Sequence, residues 1–242
     1  MGAMRTAGCT VRKAALAAVG LSLLAGCGAN DETAEGKGGG GRATEAAGYA
    51  KTVPGVGAKL RARLPKDTRQ VVAVYGKGAD SPDATLALYT KAAAGWERTA
   101  SWPAHNGRKG WTTDHHEGDL RSPVGVFGLS DAGGVLPDPG AKLPYTHASA
   151  FTPPPYWEKK TRHDFDHVIA VDYNRVPGTS PLDPTRPQGQ KKGGGIWLHL
   201  DHGSGTSGCV SISKAGMVAL LRTLDPQRHP VVVMGDTAHL SA

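Results

Sequence analysis

Residues 193–213 read GGGIWLHLDHGSGTSGCVSIS, Gly193 to Ser213. Ile196–Leu200 is a short apolar run bounded by glycines and carrying a β-branched residue and an aromatic one, which predicts a strand. His199 lies near the end of that strand, and His202 stands in the loop beyond it. Cys209 follows His199 by ten residues, in a run of glycine and small hydroxyl residues. Ser213 predicts an N-cap, because Met217, Leu220, Leu221 and Leu224 recur at i, i+3, i+4 and i+7 behind it. Asp225-Pro226 ends this helix, since the residue before proline avoids helical geometry.

Outward from this stretch, the apolar segments are short and rich in β-branched residues. Gln70–Tyr75 and Thr85–Thr90 are separated by a Gly/Asp/Ser/Pro turn, as in a hairpin. Trp96–Trp102, Val124–Leu129, Val168–Tyr173 and Pro230–Met234 predict further strands. Gly/Pro-rich loops separate them, notably Asp131–Gly140 and Val176–Gly195. These elements predict a mostly-β single domain, barrel- or sandwich-like, with one helix following Cys209. The domain is placed at residues 66–242.

The N-terminus predicts a different fate. Arg5, Arg12 and Lys13 precede an apolar run, Ala14–Ala25, that is too short to span a bilayer as a mature helix. The run ends in Leu24-Ala25-Gly26-Cys27, which resembles a bacterial lipobox. Residues 1–26 are therefore expected to be a lipoprotein signal peptide and Cys27 the lipidated new N-terminus. This places the protein outside the cytoplasm, lipid-anchored to the outer face of the cell membrane and facing the cell wall. Residues 27–65 are rich in Gly and Ala early on and are expected to be a flexible tether. Loss of Arg5, Arg12 and Lys13 with the leader takes the formal charge from +7 to +4. That mild excess suits a polyanionic envelope, and no dense Lys/Arg block marks a nucleic-acid partner.

Of the three cysteines, Cys9 lies in the leader and Cys27 in the lipid motif, so Cys209 has no disulfide partner. A lone cysteine near a histidine is a candidate nucleophile. An imidazolium or a helix N-terminus lowers a thiol pKa, and both are expected close to Cys209. His199 is favoured as the base, with His202 the alternative. The amides of Gly208 and Cys209 are candidate oxyanion donors.

A second segment, Glu117–Leu129 (EGDLRSPVGVFGL), adds to this. Together the two segments resemble the L,D-transpeptidase catalytic domain (YkuD-like) family of bacterial cell-wall enzymes, in a lipoprotein member of actinobacterial type. The upstream matches are Glu117, Gly118, Asp119, Arg121, Ser122, Pro123, Gly125 and Phe127. The downstream matches are His199 at the strand end and then Thr206, Gly208, Cys209 and Val210. The resemblance extends over about residues 70–235. Ser207 stands where the family motif has histidine, and Ser211 where it has Arg or Asn, so the chain reads as a divergent branch.

The resemblance implies a ping-pong acyl transfer. Cys209 attacks the third-residue carbonyl of a peptidoglycan tetrapeptide stem, D-alanine leaves, and the amine of a neighbouring stem takes the acyl group in a 3→3 cross-link. His199 is the implied general acid and base, oriented by a backbone carbonyl or a carboxylate. Thr206, Ser207 and Arg121 support the motif or the substrate, with Glu117 and Asp119 as partners for Arg121. No cofactor and no metal are implied, and the protein is expected to be a monomer.

Other readings stay open. Water as acceptor gives an L,D-carboxypeptidase on the same residues. A non-catalytic wall-binding lipoprotein shares the fold. A zinc peptidase would draw ligands from His199, His202, Cys209 and Asp201, with Asp114-His115-His116-Glu117 and His163–His167 as further metal-rich stretches. These spacings match no regular zinc motif.

Overall fold

The computed structural model describes residues 48–242. The expected signal peptide, Cys27 and the tether up to residue 47 lie outside the described residues. None of the described helices is long and apolar enough to cross a membrane.

Among the described residues, twelve strands and three α-helices follow in chain order. The short helix α1 (Ala58–Arg61) precedes β1 (Gln70–Gly76), β2 (Asp83–Ala92) and β3 (Gly95–His105). Then come β4 (Trp111–Thr112), β5 (Ser122–Pro123), β6 (Gly125–Gly128), β7 (Ala132–Gly134) and β8 (Tyr145–His147). The chain closes with β9 (Val168–Ala170), β10 (Trp197–Leu200), β11 (Val210–Ile212), α2 (Lys214–Thr223), β12 (Val231–Asp236) and α3 (Thr237–Ser241). Ten strands form one sheet in the order β6-β12-β1-β2-β3-β11-β10-β9-β7-β8, while β4 and β5 pair separately. The domain is mostly β, as expected.

Alternation along the central strands explains how both faces of this sheet are buried. In β1, Val72 and Val74 enter one core with Leu86, Leu198 and Ile212. The intervening Val71 and Ala73 enter a second core with Ala87, Tyr89 and Val233. Helix α2 seals the first core with Met217, Leu220 and Leu221, all fully buried. Its N-cap is the expected Ser213, whose hydroxyl accepts from the Gly216 amide at 3.2 Å.

Two expectations need correction. Packed structure begins well before residue 66. Ala50 pairs with Trp96, and Val53, Val56 and Leu60 are buried in the second core. The Gly57 amide also donates to the Leu240 carbonyl at 2.6 Å, tying this segment to α3. The outer face of β1 and β12 is apolar, so it needs this cover. Second, α2 is not the one helix, since α1 and α3 flank the second core. Nor does α2 follow Cys209 directly, because β11 intervenes.

Candidate active site

β10 and β11 run parallel and adjacent, with Leu198, His199 and Leu200 opposite Val210, Ser211 and Ile212. Leu198, Leu200, Val210 and Ile212 all point into the first core. By strand alternation Trp197, His199 and Ser211 therefore share the opposite face. Carrying the register back one residue sets Cys209 beside Trp197 on that same face. The Trp197 amide donates to Cys209 Sγ at 3.4 Å, in agreement. The apolar half of IWLHL anchors the strand, and its other half puts histidine on the same face as the cysteine.

His199 is 2% exposed. Its Nδ1 lies 2.8 Å from the Leu200 carbonyl, which can only accept, so Nδ1 carries the proton and Nε2 holds the lone pair. The ring of Phe165 packs edge-on against the imidazole at 5.3 Å. Burial lowers the His199 pKa to about 4, against the opposing pull of the Leu200 hydrogen bond. The imidazole is thus neutral near pH 7, with its lone pair on Nε2.

Cys209 is the free cysteine among the described residues. Burial pushes its thiol up to about 11; the Trp197 amide opposes this and the charge of Asp164 adds to it. The thiol donates to the Gly195 carbonyl at 3.5 Å. The expectation of a depressed thiol pKa is overturned. His199 is uncharged, and the N-terminus of α2 lies beyond β11, outside the first-turn range over which a helix dipole acts.

The turn before Cys209 is held by hydroxyls. Thr206 Oγ1 donates to the Cys209 carbonyl at 2.7 Å and accepts from the Gly208 amide at 3.1 Å. The Gly208 amide is therefore occupied, contrary to its expected oxyanion role. Gly208 has φ +147°, and a side chain there would stand 3.1 Å from the Arg121 carbonyl oxygen and 3.5 Å from His115 Cε1. Ser122 completes the support, donating to the Gly208 carbonyl at 2.7 Å and accepting from the Gly107 amide at 2.9 Å.

Other candidates sit elsewhere. Ser207 is exposed, with Arg108 Nη2 3.3 Å from its hydroxyl. Arg121 pairs with Asp80 at 2.8 Å and donates to the Trp111 carbonyl at 3.1 Å, so neither Glu117 nor Asp119 is its side-chain partner. Asp201 accepts from Ser211 Oγ and His105 Nδ1, both at 2.7 Å, and is not the group that orients His199. His202 Nδ1 lies 2.9 Å from Asp164 Oδ2, with both side chains buried. The donors a zinc site would need are thus engaged separately. No group of three or more His, Cys, Asp or Glu among the described residues is arranged to hold a metal.

Sequence reasoning missed Ser122, Asp164 and Phe165 as parts of this site. Ser122 lay inside the upstream motif, whereas nothing local marks Asp164 or Phe165. A cleft of about 360 Å³ is lined by His115, Phe127, Asp172, Tyr173 and Asn174, and neither Cys209 nor His199 lines it.

Residues 79–233 match the family model of the L,D-transpeptidase catalytic domain, YkuD. No curated protein matches the chain. Among solved structures, the Bdellovibrio bacteriovorus protein Bd1075 is similar at 15% identity and a TM-score of 0.39, over 69% of this chain and 48% of its own. This chain therefore spans about half the length of that protein.

Proposed function

The chain belongs to the L,D-transpeptidase catalytic domain family, and from that premise we propose that it forms 3→3 peptidoglycan cross-links through a thioester on Cys209. The family is cysteine-dependent and acts on peptidoglycan peptides. The observation that carries the finer reading is the shared face of β10 and β11. In support of that reading, Cys209 shares this face with a neutral histidine whose Nδ1 proton lies on the Leu200 carbonyl.

In this reading Sγ attacks the carbonyl carbon of the third stem residue as its proton passes to His199 Nε2. A thiol at about 11 and an imidazole at about 4 favour transfer coupled to attack over a standing ion pair. The Cys209 amide faces the developing oxyanion. Collapse breaks the C–N bond, and His199 returns the proton to the departing D-alanine amine. The amine of a second stem then attacks the thioester, and His199 accepts its proton as sulfur leaves. Cys27 would carry the lipid that holds the domain at the outer face of the membrane, with the protein working as a monomer.

A purified tetrapeptide stem offered as donor with a second stem as acceptor tests this. The cross-linked dimer, with loss of one D-alanine, is expected by mass spectrometry. Tripeptide alone would shift the reading to a carboxypeptidase. Neither product would contradict both.

A further inference from the structure

The segment from Phe151 to Phe165 starts and ends against Trp197, the residue whose amide meets Cys209 Sγ. The Phe151 ring lies 5.7 Å from the Trp197 ring, and the Phe165 ring 5.1 Å from it. Between these anchors the chain runs out through Pro153, Pro154 and Pro155 and turns, the Trp157 amide donating to the Pro154 carbonyl at 3.0 Å. The turn displays two aromatic side chains, Tyr156 at 84% exposure and Trp157 at 43%. The Trp157 ring stands 6.1 Å from that of Phe165, which stands 5.3 Å from the His199 imidazole. These two spacings hold the Trp157 ring within about 11 Å of the imidazole, the length of three extended residues. Exposed aromatic surface of this kind marks an interaction site, and the three prolines fix its backbone before any ligand arrives.

We propose that Tyr156 and Trp157 form a carbohydrate subsite that takes the glycan strand bearing the donor stem. The proposal rests on reading Cys209 and His199 as the acyl-transfer pair. Transfer at the third stem residue leaves three residues between the reacting carbonyl and the sugar. That span matches the reach from the His199 imidazole to the Trp157 ring. A sugar ring turns weakly positive C–H groups outward from its faces, and these suit the negative face of an aromatic ring. Its hydroxyl and acetamido edges need polar partners, and Glu158, Lys159 and Arg162 stand exposed on the same segment. Lys160 reaches from there to Ser204 Oγ at 3.3 Å, in the loop that leads to Cys209. Tyr156 is too open to sit in a side-chain pocket, so it suits a flat-faced ligand. Residues 152–163 contain no Leu, Ile, Val or Met, so the turn lacks the aliphatic bulk that insertion into a lipid surface uses.

Isothermal titration of the full chain with glycan strands stripped of their stem peptides tests this without any acyl transfer. Wild type is expected to bind. Tyr156→Ala and Trp157→Ala are each expected to raise the Kd at least about 5-fold, and Tyr156→Phe, which keeps the ring face, to bind as wild type does. No binding by wild type, or an unchanged Kd for Tyr156→Ala, would overturn the proposal. Free tetrapeptide stem and anionic phospholipid vesicles are titrated in parallel. If Tyr156→Ala weakens either of these and leaves glycan binding unchanged, the turn serves the peptide or the membrane and the proposal fails. If Trp157→Ala does not fold, the Tyr156 variants decide alone, since that side chain is almost wholly in solvent. Glycan binding is read without cross-linking, so failure of the acyl-transfer reading and failure of this one are separately visible.

Discussion

Replacing Thr206 by valine isolates what holds the turn in front of the thiol. Valine keeps the shape of threonine and removes the hydroxyl. Two hydrogen bonds vanish, one to the Cys209 carbonyl and one from the Gly208 amide. The Cys209 carbonyl loses its close donor, because the single proton of Ser122 Oγ, 3.3 Å away, goes to the Gly208 carbonyl at 2.7 Å; that loss is about 1 kcal/mol. The Gly208 amide keeps nothing. Gly208 is buried, so an unsatisfied N–H there costs about 1–3 kcal/mol more. The sum, about 2–4 kcal/mol, corresponds to a fall in Tm of roughly 4–16 °C for a domain of this size. Thr206→Ser retains both hydrogen bonds, loses one methyl group, and is expected to cost about 1 kcal/mol. Thermal and urea unfolding by circular dichroism measure both. A Thr206→Val variant within 1 °C of wild type, or a serine variant as damaged as the valine one, would refute the assignment of the turn's stability to this hydroxyl.

Stability should also fall in acid through His199. Its native pKa is held near 4, while an unfolded histidine titrates near 6.5. Below pH 6.5 the unfolded chain therefore binds a proton that the native chain does not, and stability drops as pH falls from 6.5 toward 4. His199→Gln is expected to flatten that part of the urea-midpoint profile, and an unchanged profile would contradict the buried neutral state. A chain starting at residue 66 is expected to melt well below one starting at residue 48, because Val53, Val56 and Leu60 each contribute roughly 1.5–3 kcal/mol when buried. Equal melting temperatures would mean that the second core does not depend on this segment.

The strands that sequence resolved are those whose signal is intrinsic. Gln70–Gly76 and Val231–Asp236 are dense in valine, and α2 has both cap and period. β7 (Ala-Gly-Gly) and β8 (Tyr-Thr-His) carry no apolar run and exist because neighbouring strands hold them. β11 was missed because three residues between a cysteine and an N-cap are too few for a periodicity. Residues 50–64 read as tether because their apolar residues are sparse, yet three of them are enough to cover one sheet face.

At the site, the His199–Cys209 neighbourhood was legible because strand, loop and thiol are contiguous. The direction of the thiol's pKa was not, since burial outweighed the charge effects that local sequence suggests. The Asp164–His202 pair joins residues 38 positions apart, which no local pattern announces.

Intact-mass analysis of the chain after incubation with a carbapenem probes the central claim most directly, because a strained β-lactam carbonyl acylates a reactive thiol and leaves a stable mass increment on it. Wild type is expected to gain one drug mass, mapped to Cys209. Cys209→Ala is expected to gain none, and His199→Gln to acylate far more slowly. An adduct on Cys209→Ala, or none on a folded wild-type protein, would contradict Cys209 as the nucleophile.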